Sequence, residues 1–219
     1  MEHHRKTVIV TGASQGIGAG VVKAFLARGC NVVGTARSAT KSKELSPSDH
    51  LALVDGDIGQ FETAQKVAEV AMDRFGSIDA VVANAGIFIV KPFTDYTADD
   101  FRALVSTNLA GFIYITQLAV KQMQAQKTGG SIVSITAALV DNPIAGEPAS
   151  LSMITKGGVA AGLRSRLWNT RKSTFDSMQW LPASSPRLSR RIIRKSIWNP
   201  DHPWGQFRRL KTLPARWFF

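Results

Sequence analysis

Short apolar runs alternate with longer amphipathic stretches along this chain up to about residue 162. The short runs are almost continuously apolar, as parallel strands covered on both faces are, and the longer stretches repeat their apolar positions with the period of a helix. Such alternation predicts an α/β fold built on a doubly wound parallel sheet. The pattern places strands at 7–12, 30–35, 51–55, 79–83 and 131–135, and helices at 17–28, 60–75, 98–126 and 152–162.

A glycine-rich turn joins the first predicted strand to the first predicted helix, in the segment VIVTGASQGIG. Gly12 allows the chain to turn sharply off the strand, Gly16 lets the backbone approach a phosphate, and Gly18 lets the helix pack close to the sheet. The helix N-terminus faces the same place and attracts an anion. The turn therefore predicts a pyrophosphate site; the alternative is an ordinary strand-to-helix turn.

Further short motifs follow the turn in a fixed order. They are Asp57-Ile58 after the third strand, Asn84-Ala85-Gly86 after the fourth, Asn108 within TNLAGF, and GGSIVSIT as the fifth strand. With the wide glycine spacing, in which three residues separate Gly12 from Gly16, this set resembles the short-chain dehydrogenase/reductase family from residue 6 to about residue 161. The resemblance implies a Rossmann-type sheet of order 3-2-1-4-5, with a nicotinamide dinucleotide across its carboxyl edge.

The end of the second strand indicates which dinucleotide is bound. A carboxylate there would accept from both ribose hydroxyls and repel a 2′-phosphate, but this chain has Thr35-Ala36-Arg37-Ser38. Arg37 can pair with a phosphate through two hydrogen bonds, and Ser14 and Ser38 add hydroxyls. The sequence therefore favours NADP(H) over NAD(H). The alternative is that Arg37 is a solvated loop residue.

The resemblance implies the remaining cofactor contacts. Asp57 would accept from the adenine amino group while Ile58 packs on the ring, and Asn84 would hold the turn beside the cofactor; the alternative for Asp57 is a turn residue. Lys156 would bind the nicotinamide ribose. The whole expected cofactor-binding set is Gly12, Ser14, Gln15, Gly16, Ile17, Gly18, Arg37, Ser38, Asp57, Ile58, Asn84, Ala85, Gly86 and Lys156.

The catalytic part of the resemblance is incomplete. In the family a Tyr four residues before a Lys is the general acid and base, a Ser polarises the substrate carbonyl, and an Asn completes a proton relay. Here Asn108 and Lys156 match, but the Tyr position holds Ser152, a shorter and much weaker acid than a phenol. The usual Ser falls on Ala137, beside Thr136. The expected catalytic set is therefore Asn108, Lys156, Ser152 and Thr136, with no metal.

Two functions follow from this pattern. The first is an NAD(P)-dependent oxidoreductase that interconverts a small-molecule alcohol and carbonyl by hydride transfer, with impaired activity in this chain. The second is a noncatalytic NADP(H)-binding protein. The substrate itself is not indicated by the sequence.

The composition changes abruptly beyond residue 161. Residues 1–161 carry equal numbers of basic and acidic side chains, so the rest of the chain carries the formal net charge of +11, and all five Trp residues lie there as well. We therefore expect a dinucleotide-binding domain at 1–162 and an irregular basic tail at 163–219. The last strands of the sheet would then be missing or disordered, and the fifth strand would have no partner on its outer edge.

The tail also resembles a family segment read in another frame. The family continues with a segment like MEYAKVNIRFNAVAPGVV, and codons can be chosen for that string so that, read one base late, they give WNTRKSTFDSMQWLPASS. This is the sequence from Trp168 to Ser185. We infer a reading-frame shift between about Ala161 and Trp168. The alternative is that the tail binds nucleic acid or an acidic membrane surface, since clustered Arg with Trp can do both.

Other features point to an ordinary intracellular setting. Cys30 is the single cysteine, which rules out an internal disulfide and predicts a small buried side chain. No leader-like apolar region or long apolar stretch is evident, so we expect a cytoplasmic protein that binds no membrane and no specific nucleic acid. A homo-oligomer of the family type is doubtful with this tail. His3 and His4 are read as a disordered terminus.

Overall fold

The computed structural model describes residues 5–141, 146, 148–164 and 175–180. Its centre is a parallel sheet whose neighbouring strands are, in spatial order, β3 (Leu51–Asp55), β2 (Asn31–Ala36), β1 (Thr7–Thr11), β4 (Ala80–Ala83), β5 (Gly130–Ile135) and β6 (Phe175–Trp180), numbered along the chain. The α/β class and the 3-2-1-4-5 order are therefore confirmed.

The outermost strand, β6, corrects one expectation. The prediction that β5 has no neighbour on its outer side is wrong, because β6 pairs with it from Gly130 opposite Phe175 to Ile135 opposite Trp180. A parallel ladder is made by backbone N–H and C=O groups, so an extended segment can satisfy this edge whatever its composition. Most of the expected tail lies outside the described residues, as do His3 and His4, and the division at residue 162 stays a prediction.

The described helices lie near their expected positions. A π-helical stretch, Val105–Ala110, joins the third and fourth helices, so the helix expected at 98–126 is one continuous run with a wider turn in its middle. The run begins with a capping box, in which the side chains of Thr97 and Asp100 each accept from the other's backbone N–H. The helices are α1 (Gly16–Leu26), α2 (Phe61–Phe75), α3 (Ala98–Leu104), α4 (Gly111–Gln126) and α5 (Ser150–Arg164).

Two apolar clusters cover the two faces of the sheet. Ile9 belongs to one cluster, with side chains of α2 and α4, and its neighbours Val8 and Val10 belong to the other, with side chains of α1. This alternation is why the strands read as continuously apolar. Cys30 is buried in the second cluster, as expected, and burial raises the pKa of its thiol. Full burial of each Val or Ile side chain contributes about 1.5–3 kcal/mol.

The helical run Ala98–Gln126 is long and apolar enough, by length and composition alone, to cross a membrane. The expectation that no stretch reaches this length is therefore corrected. The core helix of a soluble protein passes the same test, and 39% of the apolar window is buried within this protein. Ile115, Ala119 and Met123 of this run lie in a core cluster with no exposed surface. The run is thus weak support for a membrane span.

Candidate functional site

The glycine-rich turn lies at the carboxyl end of β1 and leads into α1. Gly12 has a φ of +65°, and a Cβ there would lie 2.9 Å from the Cα of Ala85. A Cβ at Gly18 would collide with the Gly12 carbonyl oxygen. Helix α1 begins at Gly16, with no side-chain cap from Gln15 and no acidic residue in its first turn. The turn is therefore packed as closely as the sequence predicts, and the helix N-terminus favours an anion.

The side chain of Asn84, at the end of β4, holds this turn in place by hydrogen bonds. Its Nδ2 donates to the carbonyl oxygens of Thr11 at 3.0 Å and Gly12 at 3.1 Å. The Thr11 hydroxyl in turn accepts from the backbone N–H groups of Asn84 and Ala85, at 3.1 and 3.0 Å. These bonds fasten the end of β1 to the end of β4. The structure thus gives the Asn84 side chain a supporting position, with its amide committed to the turn.

The end of β2 presents a cation and no carboxylate. Arg37 is exposed, and within the described part of the chain no hydrogen bond or ion pair holds its guanidinium. Ser38 is exposed next to it, and Ser14 lies in the turn, where its carbonyl oxygen accepts from the Ser42 hydroxyl at 2.6 Å. The Arg37 charge is therefore available to an anionic ligand at this end of the site.

The Asp57-Ile58 pair follows β3. The backbone N–H of Gly59 donates to Asp57 Oδ1 at 2.9 Å, which makes a local turn, and Asp57 is otherwise exposed. Ile58 is only 6% exposed and belongs to a core cluster. A Cβ at Gly111 would lie 2.8 Å from Ile58 Cγ2. Ile58 thus packs α4 against the loop after β3, and Asp57 forms the turn in that loop.

Asn108 lies in the π-helical stretch and holds the loop that follows β4. Its Oδ1 accepts from the Ile87 backbone N–H at 2.9 Å, and its Nδ2 donates to the Ile87 carbonyl oxygen at 3.1 Å. The same Nδ2 donates to the Thr155 hydroxyl at 2.9 Å, and that hydroxyl donates to the Ser152 carbonyl oxygen. Asn108 therefore connects the loop after β4 to helix α5.

The Lys156 side chain extends from α5 toward Asn108 and the loop after β4. Its Nζ donates to the Ile135 carbonyl oxygen at 3.0 Å, at the end of β5. Gly86 makes the approach possible, because a Cβ there would collide with Nζ and would lie 3.1 Å from Asn108 Oδ1. Burial lowers the pKa of Lys156 to about 8. The structure therefore brings Asn108, Lys156 and Gly86 together; their roles stay a prediction.

Ser152 is held by a backbone segment. Its hydroxyl accepts from the Ile89 N–H at 2.9 Å and donates to the Ile89 carbonyl oxygen at 3.0 Å, and the residue is fully buried. The Tyr96 hydroxyl also donates to the Ile89 oxygen, at 2.8 Å. The single Ser152 proton is thus already committed, and this hydroxyl is poorly suited to donate it to a substrate.

The two positions after β5 differ in exposure. Thr136 is only 2% exposed, whereas Ala137 is half-buried. The more accessible of the two therefore carries no hydroxyl. Among the described residues, no group of three or more His, Cys, Asp or Glu side chains is placed to hold a metal ion.

Sequence reasoning missed Glu44, which contacts the glycine-rich turn. Its Oε1 accepts from the Gly16 N–H at 3.2 Å, and its Oε2 accepts from Lys23 Nζ at 3.0 Å. The hydrogen bond from Lys23, followed by that from Gly16, lowers the pKa of the Glu44 carboxyl. Thr155 was also missed. The residues next to Glu44 in sequence gave no indication of its contacts, because its partners Gly16 and Lys23 lie 28 and 21 positions away.

Comparison with known proteins agrees with this geometry. The family described as short chain dehydrogenase matches residues 6–160. An L-rhamnose 1-dehydrogenase (NAD(P)(+)) of Sphingomonas sp. (strain SKA58) is 34% identical over 167 residues, which are 73% of this chain and 65% of that protein. An NADP-dependent (R)-specific alcohol dehydrogenase of Lentilactobacillus kefiri is 32% identical over 135 residues, which are 60% of this chain and 54% of that protein.

A solved structure shows the same architecture. The short-chain dehydrogenase/reductase described as a glucose/ribitol dehydrogenase from Brucella melitensis superposes with a TM-score of 0.71 at 25% identity, over 89% of this chain and 83% of that one. The chain spans about 55–65% of the length of the L-rhamnose 1-dehydrogenases that it matches.

Proposed function

Because this chain belongs to the short chain dehydrogenase family, we propose that it binds a nicotinamide dinucleotide across the carboxyl edge of its sheet, with NADP(H) preferred over NAD(H). The proposed reaction is hydride transfer between that cofactor and the alcohol or carbonyl group of a small molecule, at a low rate in this chain. One observation carries the proposal. The glycine-rich turn braced by Asn84 and the Asn108–Lys156 pair lie beyond the carboxyl ends of adjacent strands of one sheet.

The residues at the turn fit a dinucleotide phosphate. The first turn of α1 itself contains no acidic residue, although Glu44 from another segment accepts from the Gly16 N–H. Glycines at positions 12 and 18 stand where a Cβ would meet neighbouring backbone. Backbone N–H groups at such a helix start bind phosphate without a dedicated side chain. Arg37 would add a charge-assisted contact to a 2′-phosphate, which supports the proposed preference for NADP(H).

The residues at the other end fit the nicotinamide ribose. When bound, the cofactor supplies the hydride donor or acceptor. Lys156, with its ammonium group directed by the Ile135 carbonyl oxygen, would hold ribose hydroxyls. Asn108 fixes the loop after β4, whose Gly86 lies beside Lys156 Nζ. A Lys with a pKa of about 8 exchanges its proton readily near neutral pH.

The low rate follows from the hydroxyl groups. Oxidation of an alcohol removes a hydride from its carbon and a proton from its oxygen, and reduction of a carbonyl adds a hydride to the carbon and a proton to the oxygen. A group that accepts or donates this proton is therefore needed. Ser152 has its proton committed to Ile89, and Ala137 has none. The phenol of Tyr96, which also contacts Ile89, donates its proton to the same carbonyl oxygen. Lys156 therefore remains at the site as a titratable group without a free phenol beside it to relay its proton.

A second candidate is a noncatalytic NADP(H)-binding protein, which the hydrogen bonds of Ser152 favour. Calorimetric titration with NADPH, followed by turnover measurements with a broad set of alcohols and ketones, separates the two. Binding with slow turnover supports the enzyme, binding without turnover supports the second candidate, and no binding contradicts both. The tail-binding alternative rests on residues outside those described; salt-sensitive retention on DNA or anionic lipid would test it.

A further inference from the structure

Glu44 places a carboxylate against the start of α1. Its two oxygens accept from the Gly16 N–H and from Lys23 Nζ, at 3.2 and 3.0 Å, and its side chain is 27% exposed. A helix N-terminus stabilises negative charge, and here a side chain of the protein supplies that charge. The carboxylate therefore uses donors on the same turn that is proposed to hold the dinucleotide.

The segment that carries Glu44 is fixed in place. Leu45 is 7% exposed and lies in the cluster that covers α1. The Ser42 hydroxyl donates to the Ser14 carbonyl oxygen at 2.6 Å and accepts from the Glu44 backbone N–H at 3.2 Å. The carboxylate is thus held on the turn by contacts on both sides of it in sequence.

The position of this segment relates it to the adenosine end of the site. It follows β2 and contacts Ser14, a residue expected to meet the 2′ substituent together with Arg37. Arg37 and Glu44 thus bring opposite charges to the one connection between β2 and β3, and this connection contacts the turn through Ser42 and Glu44. Coulomb repulsion between a carboxylate and a phosphate dianion acts over several ångströms at a partly solvated surface.

We propose that Glu44 is a specificity-determining residue, whose carboxylate occupies the anion position at Gly16 and Lys23 and weakens binding of a nucleotide with a 2′-phosphate relative to one with a 2′-hydroxyl. The inference rests on the proposed function, because it concerns the adenosine end of the proposed dinucleotide. Arg37 and Glu44 then oppose each other, and the preference for NADP(H) is smaller than Arg37 alone would give.

The test compares the parent with Glu44→Gln, which keeps the side-chain shape and removes the charge. Glu62→Gln is the matched control, because Glu62 is an exposed carboxylate in the first turn of another helix, α2. Calorimetric titrations use NADPH, NADH, adenosine 2′,5′-bisphosphate and AMP. We expect Glu44→Gln to tighten binding of NADPH and of the bisphosphate by about tenfold. Affinity for NADH and AMP should rise by less than about threefold, because their phosphates gain only the freed Gly16 N–H, so the NADPH-to-NADH affinity ratio increases. Glu62→Gln should change neither the affinities nor the ratio.

Other outcomes overturn the proposal in distinguishable ways. An unchanged NADPH-to-NADH affinity ratio in Glu44→Gln contradicts it while leaving the proposed function intact. Weaker binding of all four ligands would show that Glu44 only supports the turn. If the parent binds none of them, the proposed function itself fails. Thermal unfolding of each variant is measured first, and Glu44→Ala is the second uncharged variant should Glu44→Gln not fold; Glu44→Asp should keep the parent ratio.

Discussion

The Ser152 hydroxyl holds Ile89 by both of its backbone groups, accepting from the N–H at 2.9 Å and donating to the carbonyl oxygen at 3.0 Å. Asn108 holds Ile87 in the same two-sided way. In the loop after β4, the backbone N–H and C=O groups of Ile87 and Ile89 are therefore bonded by two side chains, as a neighbouring strand would bond them in a sheet. At Ser152 this structural contact occupies the position where the family places its phenolic acid.

The double change Ser152→Tyr with Ala137→Ser is predicted to raise turnover. It restores a phenol four residues before Lys156 and a hydroxyl at the accessible position after β5. General acid and base groups contribute roughly 10²–10⁴-fold, so a gain of at least about tenfold is expected from steady-state assays with NADPH and a carbonyl substrate.

The control for this change is Ser152→Phe with Ala137→Ser, which has the same bulk without the hydroxyl. Both variants lose the hydrogen bonds to Ile89, which costs about 1–3 kcal/mol of folding stability. The difference in turnover between the two variants therefore reports the effect of the phenol hydroxyl alone. High turnover in the parent that is lost on Thr136→Ala would show instead that Thr136 supplies the hydroxyl.

Arg37→Ala is predicted to remove most of the preference for NADP(H). The loss of hydrogen bonds to a charged phosphate should weaken NADPH binding by roughly 1.5–3 kcal/mol and leave NADH binding nearly unchanged. Lys66→Ala, which removes an exposed cation from α2, is the control. An NADPH-to-NADH affinity ratio that is the same in Arg37→Ala as in the parent would contradict the assignment of Arg37.

Lys156 should make the free energy of unfolding depend on pH in the alkaline range. Burial lowers its pKa from 10.5 to about 8, so between these values the unfolded chain binds a proton that the folded chain does not. The free energy of unfolding should therefore rise with pH across this window, by roughly 1–3 kcal/mol relative to Lys156→Met. Urea unfolding at pH 7.5 and pH 10 measures this. Parallel pH profiles for the two proteins would rule out the buried-lysine account.

The change in composition after residue 161 is predicted to arise from a single-base frame difference. Nucleotide sequencing across the codons for Gly157 to Trp168 tests this directly. A second frame that continues the family-like sequence would support the prediction. If no shifted frame gives such a sequence, the segment after Ala161 is an original part of this protein and the tail hypotheses must be reconsidered.

The sheet and the glycine-rich turn could be predicted because their signals are local in sequence. Continuous apolar runs mark β1 to β5, and the wide glycine spacing marks the start of α1. The contacts of Ser152 with Ile89 and of Glu44 with Gly16 could not be predicted, because they join residues 63 and 28 positions apart. The pairing of β6 with β5 was also missed, because the hydrogen bonds between the two strands are made by backbone groups and do not require particular residue types in β6.

The most direct test of the account is calorimetric titration of the parent protein with NADPH and NADH, with adenosine, which carries no phosphate, as the control ligand. The account predicts saturable one-to-one binding of both dinucleotides, tighter for NADPH, and no measurable binding of adenosine. Failure of both dinucleotides to bind would contradict the central claim that the braced turn at the start of α1 is a dinucleotide site.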